Sequence, residues 1–172
     1  MATQGELRDR ISNCFSEIML NEGPMEVAMK HCFTGYILSF NIRGILAHYQ
    51  ELGGEDWLRA AKDWADWSVR MQGSYGDPAA YNMGYRFATK NGVPADWFVA
   101  DTVDQATALL NVAWVLEPDD PLYLRIIESA LAYDRYIQHW NLGENGFALG
   151  YIDGAIADQE SYHCAVARCV TY

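Results

Sequence analysis

Trp57-Leu-Arg-Ala-Ala-Lys-Asp-Trp-Ala-Asp-Trp-Ser-Val-Arg-Met-Gln72 aligns without gaps on Tyr123-Leu-Arg-Ile-Ile-Glu-Ser-Ala-Leu-Ala-Tyr-Asp-Arg-Tyr-Ile-Gln138. Leu58 matches Leu124, Arg59 matches Arg125 and Gln72 matches Gln138. Each stretch follows a polar turn, Leu52-Gly-Gly-Glu-Asp56 or Leu116-Glu-Pro-Asp-Asp120. One helical face carries Trp57, Ala61, Trp64, Ser68 and Met71 in the first copy. In the second it carries Tyr123, Ile126, Ile127, Ala130 and Ile137. With the helix that precedes each turn, the unit is an αα-hairpin of about 60 residues used more than once. Hairpins of this kind stack on neighbours to bury their apolar faces. The fold class expected is all-α.

Outward from the repeat, the same spacing predicts further helices. Ile42, Ile45, Leu46, Tyr49 and Leu52 form one face, stopped by Gly53-Gly54. A helix starting at Asp101 carries Val103, Ala106, Leu109, Leu110 and Ala113. Asp120 suits the N-cap and Pro121 the first position of the next, which is expected to end near Trp140. Nearer the N-terminus, Leu7, Ile11, Phe15 and Ile18 mark a helix from Glu6 to Met19, broken by Gly23-Pro24. Residues 73–78 read as a loop, 141–154 as a short hairpin or ordered loop, and 159–172 as another helix. The chain is then one domain, an N-terminal helix over 1–25 followed by about three hairpins over 26–172.

With 172 residues, 51% apolar and 20% charged, the chain can build a sizeable core. Twelve basic residues against 23 acidic ones give a net charge of -11, which argues against nucleic-acid and anionic-membrane partners. The first ten residues are polar, unlike a signal peptide, and no apolar run reaches the ~20 residues of a membrane span. Cys14, Cys32, Cys164 and Cys169 form no CxxC pair and read as buried free thiols in a cytoplasmic protein. His31, His48 and His139 have no ligand spacing, so no metal is expected. Nucleotide-binding glycine loops, the GxSxG elbow and HExxH are absent from the sequence, and no cofactor is expected.

Several segments, in order, resemble a known family. Phe33-Thr-Gly-Tyr36, the Gly-Gly-Glu-Asp turn and Trp57-Leu-Arg-Ala-Ala are similar to the opening hairpin of the six-hairpin glycosidases. The nearest likeness within that superfamily is to unsaturated glucuronyl and unsaturated rhamnogalacturonyl hydrolases. Tyr81-Asn-Met-Gly-Tyr85 resembles their His-Asp-(Leu/Ile/Met)-Gly-Phe signature, and Val99-Ala-Asp-Thr102 their Ile-Asp-Thr/Asn motif. Residues 158–172 are loosely similar to the next inner helix. The resemblance implies an (α/α)6 toroid of which this chain spans about half. A missing C-terminal half or a homo-oligomer would then cover the exposed inner faces.

The resemblance also implies a reaction. An acid protonates the vinyl ether of a 4,5-unsaturated uronic acid at the non-reducing end of an oligosaccharide, and water adds to the cation. One carboxyl can serve both steps, unlike ordinary glycoside hydrolysis with its two carboxylates. Asp101 falls on the acid/base position; an Asp at a helix start also suits capping, and the two roles are compatible. To act as an acid near neutral pH, Asp101 needs apolar surroundings such as Trp97 and Phe98. Asn82 stands where the family has a second Asp, and Tyr81 where it has His. An amide hydrogen-bonds a hydroxyl but carries no charge, so a non-catalytic binding or interaction module is the alternative reading. Phe33, Tyr36, Tyr81, Tyr85 and Trp97 are candidates to stack on sugar rings, with His163 as a further contact. Trp57, Trp64 and Trp67 read as structural.

Overall fold

The computed structural model describes residues 3–24, 35–72, 97–137, 150–152 and 155–157. Among them are helices α1 (Gln4–Asn21), α2 (Gly35–Leu52), α3 (Glu55–Met71), α4 (Val99–Ala113) and α5 (Pro121–Ile137). Three short strands, β1 (Trp97–Phe98), β2 (Gly150–Ile152) and β3 (Ala155–Ala157), form an antiparallel sheet in that order. The buried apolar residues lie on the helices or in the turn between α4 and α5, so the described core is helical, as expected.

The repeat is structural as well as sequential. The alignment sets Glu55 on Pro121 and Met71 on Ile137, the first and last residues of α3 and α5. Ala60, Trp64 and Trp67 are buried in α3, and so are their counterparts Ile126, Ala130 and Tyr133 in α5. Two of these pairs exchange size: Ala60 against Ile126, Trp64 against Ala130. The bulk moves by one turn while the buried stripe stays in register, which keeps the density that an interior requires.

Turn chemistry closes each hairpin differently. Gly53 and Gly54 have φ of 68° and 99°, where a Cβ is disfavoured, and Gly53 N–H donates to the Tyr49 carbonyl. Helix α3 begins with no side-chain cap, and Glu55 and Asp56 in its first turn complement its dipole. Before α5, Asp120 Oδ1 accepts from the Leu122 N–H at 2.9 Å while Oδ2 accepts from Lys62 Nζ at 2.6 Å. Pro121 follows at the first helical position, as the sequence predicts.

Helices α2 and α4 pack together, and so do α3 and α5. Lys62 meets Asp120, Asp66 meets Arg125 and Gln72 meets Ser129, so α3 and α5 run in the same direction. Their hairpin partners α2 and α4 therefore run parallel in the opposite sense. The starts of α2 and α4 and the ends of α3 and α5 share one end of the bundle; both hairpin turns lie at the other. Strand β1 leads directly into α4 at the first of these ends. It pairs Trp97 with Tyr151 and Phe98 with Gly150, and the β2–β3 register leaves two residues, Asp153-Gly154, between the strands. The hairpin of β2 and β3 thus spans 150–157, with its second strand beyond the 141–154 segment expected to form a short hairpin or ordered loop.

Two expectations need correction, and the α1 face needs a fuller description. Helix α4 starts at Val99, so Asp101 is its third residue and not its N-cap. Cys14 is exposed, not buried, because α1 turns it away from the bundle; Cys32, Cys164 and Cys169 lie outside the described residues. Of the predicted α1 face, Phe15 and Ile18 are part-buried, but Leu7 is 49% and Ile11 71% exposed. The expected helix over 159–172 lies outside the described residues. Among the described residues no helix is long and apolar enough to cross a membrane.

Candidate functional site

The topology gathers three predicted positions at one end. Tyr36 is the second residue of α2, Trp97 opens β1, and Asp101 stands in the first turn of α4. Phe33, Tyr81, Asn82, Tyr85 and His163 lie outside the described residues.

One turn into α4, a polar layer ties the hairpins together. Arg43 of α2 donates from Nη2 to Asp104 Oδ1 at 3.3 Å and also to the Asp104 backbone carbonyl at 3.5 Å. The Asp104 side chain is 8% exposed and that of Arg43 35%, so the pair sits at the edge of the core, where a partnered charge is tolerated. Gln105, fully buried, donates from Nε2 to Ser68 Oγ of α3 at 2.5 Å. Arg43 Nε and Gln105 Oε1 are buried here without a hydrogen-bond partner. This layer fixes the rotation of α4, and with it the direction in which its first turn faces. The partners Arg43 and Asp104 are on different helices, which spacing along the chain does not reveal.

A second polar arrangement lies between α1 and α2. His48 Nδ1 is 2.9 Å from the Gly44 carbonyl, which only accepts, so Nδ1 carries the proton. In the neutral ring Nε2 is then the acceptor for the Ser12 hydroxyl at 3.1 Å. The imidazole packs beside Phe15 and Trp57, with ring centroids at 5.1 and 4.7 Å, and those two rings are 6.3 Å from each other, so the three form one cluster. Ser12 and His48 line a cavity of about 730 Å³ whose walls include Leu7, Ile11, Phe15 and Leu52. A serine hydrogen-bonded to a histidine in this tautomer has the arrangement of an activated nucleophile. Ser12, however, is inside a helix, where backbone N–H groups are consumed by the i→i−4 ladder. The backbone around Ser12 therefore offers no free N–H for an oxyanion, and what the described residues show is a polar clasp between α1 and α2.

Metal chemistry has no foothold among the described residues: no group of three or more His, Cys, Asp or Glu could hold an ion there. Comparison with protein-family models, with curated proteins and with solved structures finds no match to this chain.

Proposed function

We propose that this chain is a carbohydrate-active hydrolase of the unsaturated uronyl type, built on the helical hairpins of an (α/α)6 toroid. The observation that carries the reading is the shared end of the bundle. Two parallel helices that begin equivalent hairpins bring Tyr36 and Asp101 to one end, and Trp97 enters there through β1. A glycan-processing groove needs a carboxyl group and aromatic residues together, because a pyranose offers C–H faces for stacking while the vinyl ether takes a proton. In this reading Asp101 donates that proton and then draws one from the attacking water. Atoms balance as one water added per double bond, and the resulting hemiketal opens to release the uronic acid.

The test uses the near-ultraviolet band of the unsaturated uronide, which hydration abolishes. Loss of absorbance with one of the chondroitin, heparin, alginate or pectin disaccharides, and its abolition by Asp101→Asn, are expected. Full activity in Asp101→Asn would overturn the assignment. The alternative, a binding module that keeps the shape without the chemistry, is favoured by Asn82 standing where the family has its second carboxylate. Under that alternative the wild type consumes no uronide.

A further inference from the structure

We propose that α1 pairs antiparallel with α1 of a second copy of this chain, across a two-fold axis passing between Ile11 and Cys14. Leu7, Ile11, Cys14 and Ile18 recur at alternating steps of four and three, the spacing of a two-helix seam. The helix turns a neighbouring face to its own bundle, through Met19, Phe15 and Ser12, and of the seam residues Ile18 is part-buried against that bundle. The seam is left to water over much of its length: Leu7 and Ile11 are 49% and 71% exposed, and Cys14 is exposed. Leu52 of α2, 65% exposed across the adjoining groove, adds to the same apolar surface.

Charge identifies the occupant. Arg10 and Glu17 are both exposed and flank the seam on its outer edge, seven residues apart in equivalent heptad positions. In an antiparallel pair those positions face each other, so Arg10 of each copy meets Glu17 of the other, and the two-fold axis makes the contact twice. Ile11 then layers on Cys14 of the second copy, and Leu7 on Ile18. Parallel pairing would instead set Arg10 beside Phe15 and leave Glu17 with no basic partner on the second α1, which ends at Asn21. On the inner edge Arg8 is already engaged by Glu51 of its own chain at 3.0 Å, so it does not compete. An edge whose Arg10 and Glu17 meet opposite charges when the helix is reversed against itself fits a second copy. The inference is independent of the hydrolase reading.

Sedimentation equilibrium over a range of concentrations tests it, with circular dichroism to verify that the exposed substitutions leave the fold intact. The wild type is expected to dimerise. Arg10→Glu and Glu17→Arg, each alone, are expected to weaken the dimer by about tenfold or more, and Ile11→Ser to weaken it with all charges in place. An equimolar mixture of Arg10→Glu with Glu17→Arg is expected to restore dimers, because every cross-contact is again between opposite charges. A wild type that stays monomeric, including because another partner covers the seam, overturns the proposal. So does a single variant that dimerises like the wild type, or a mixture that stays monomeric.

Discussion

Helices α1 and α3 have nearly the same length, 18 and 17 residues, and pack against each other, yet they bury different amounts of themselves. Seven residues of α3 are buried, three of them tryptophans, whereas α1 buries only Met19. Both have apolar residues at helical spacing. The difference is what surrounds them: α3 is packed by α2, α4 and α5, while α1 has a cap at one end and a clasp along one side. Thr3 and Glu6 form a capping box, and Ser12, Phe15 and Arg8 reach α2. Helix α3 is held by tertiary burial; α1 depends more on its own local chemistry.

The largest break in this comparison comes from Trp64, 1% exposed at the centre of α3. Trp64→Ala should cost about 3–5 kcal/mol in urea unfolding, because deleting a fully buried indole leaves a cavity in the core. A loss below 1 kcal/mol would mean that the two hairpins do not share a core. Next is Gly44, the place where α2 lets α1 approach. A Cβ there would come within 2.7 Å of the Phe15 ring, so the ring must shift. Gly44→Ala should cost about 1–3 kcal/mol by overpacking and raise amide exchange in α1 while α3 stays protected. Unchanged exchange in α1 would remove Phe15 from the account of how it is seated.

A smaller effect sharpens the contrast between the two hairpin turns. The Lys62 hydrogen bond, and then the Leu122 N–H, hold the Asp120 carboxyl below its usual range. A depressed carboxyl contributes stability that is present above the unfolded pKa and lost as pH falls through the folded one. Asp120→Ala should therefore cost about 1–2 kcal/mol at neutral pH, mostly as a lost cap, since Lys62 is 39% exposed and its charge is screened. The gap between variant and wild type should close in acid denaturant series. A gap that persists unchanged at low pH would show that the ionised carboxylate is not what caps α5.

The hairpins were legible because a repeat speaks twice. Leu58 with Leu124 and Arg59 with Arg125 set the register, and the polar turns fixed where the helices start, Asp120-Pro121 to the residue. The face of α1 was read only in part. Spacing at Leu7, Ile11, Phe15 and Ile18 finds a helix but says nothing of what covers it, and Leu7 and Ile11 are outside. Arg43 with Asp104, and Ser12 with His48, were invisible for a related reason: 61 and 36 residues separate the partners. Helical period gives a residue's direction, not its neighbour. Of the candidate site, the sequence put Asp101 at the start of a helix and Tyr36 and Trp97 among the candidate stacking residues; that they share one end follows only from the parallel run of α2 and α4.

The coincidence of those ends is the central claim, and backbone amide chemical-shift mapping with an unsaturated uronic disaccharide tests it without relying on turnover. The account predicts perturbations concentrated at Tyr36 and along Trp97–Asp101, with Gly53, Gly54 and Trp114 at the turn end unmoved. Shifts confined to the turn end or to the groove between α1 and α2, or no shifts at saturating sugar, would contradict it.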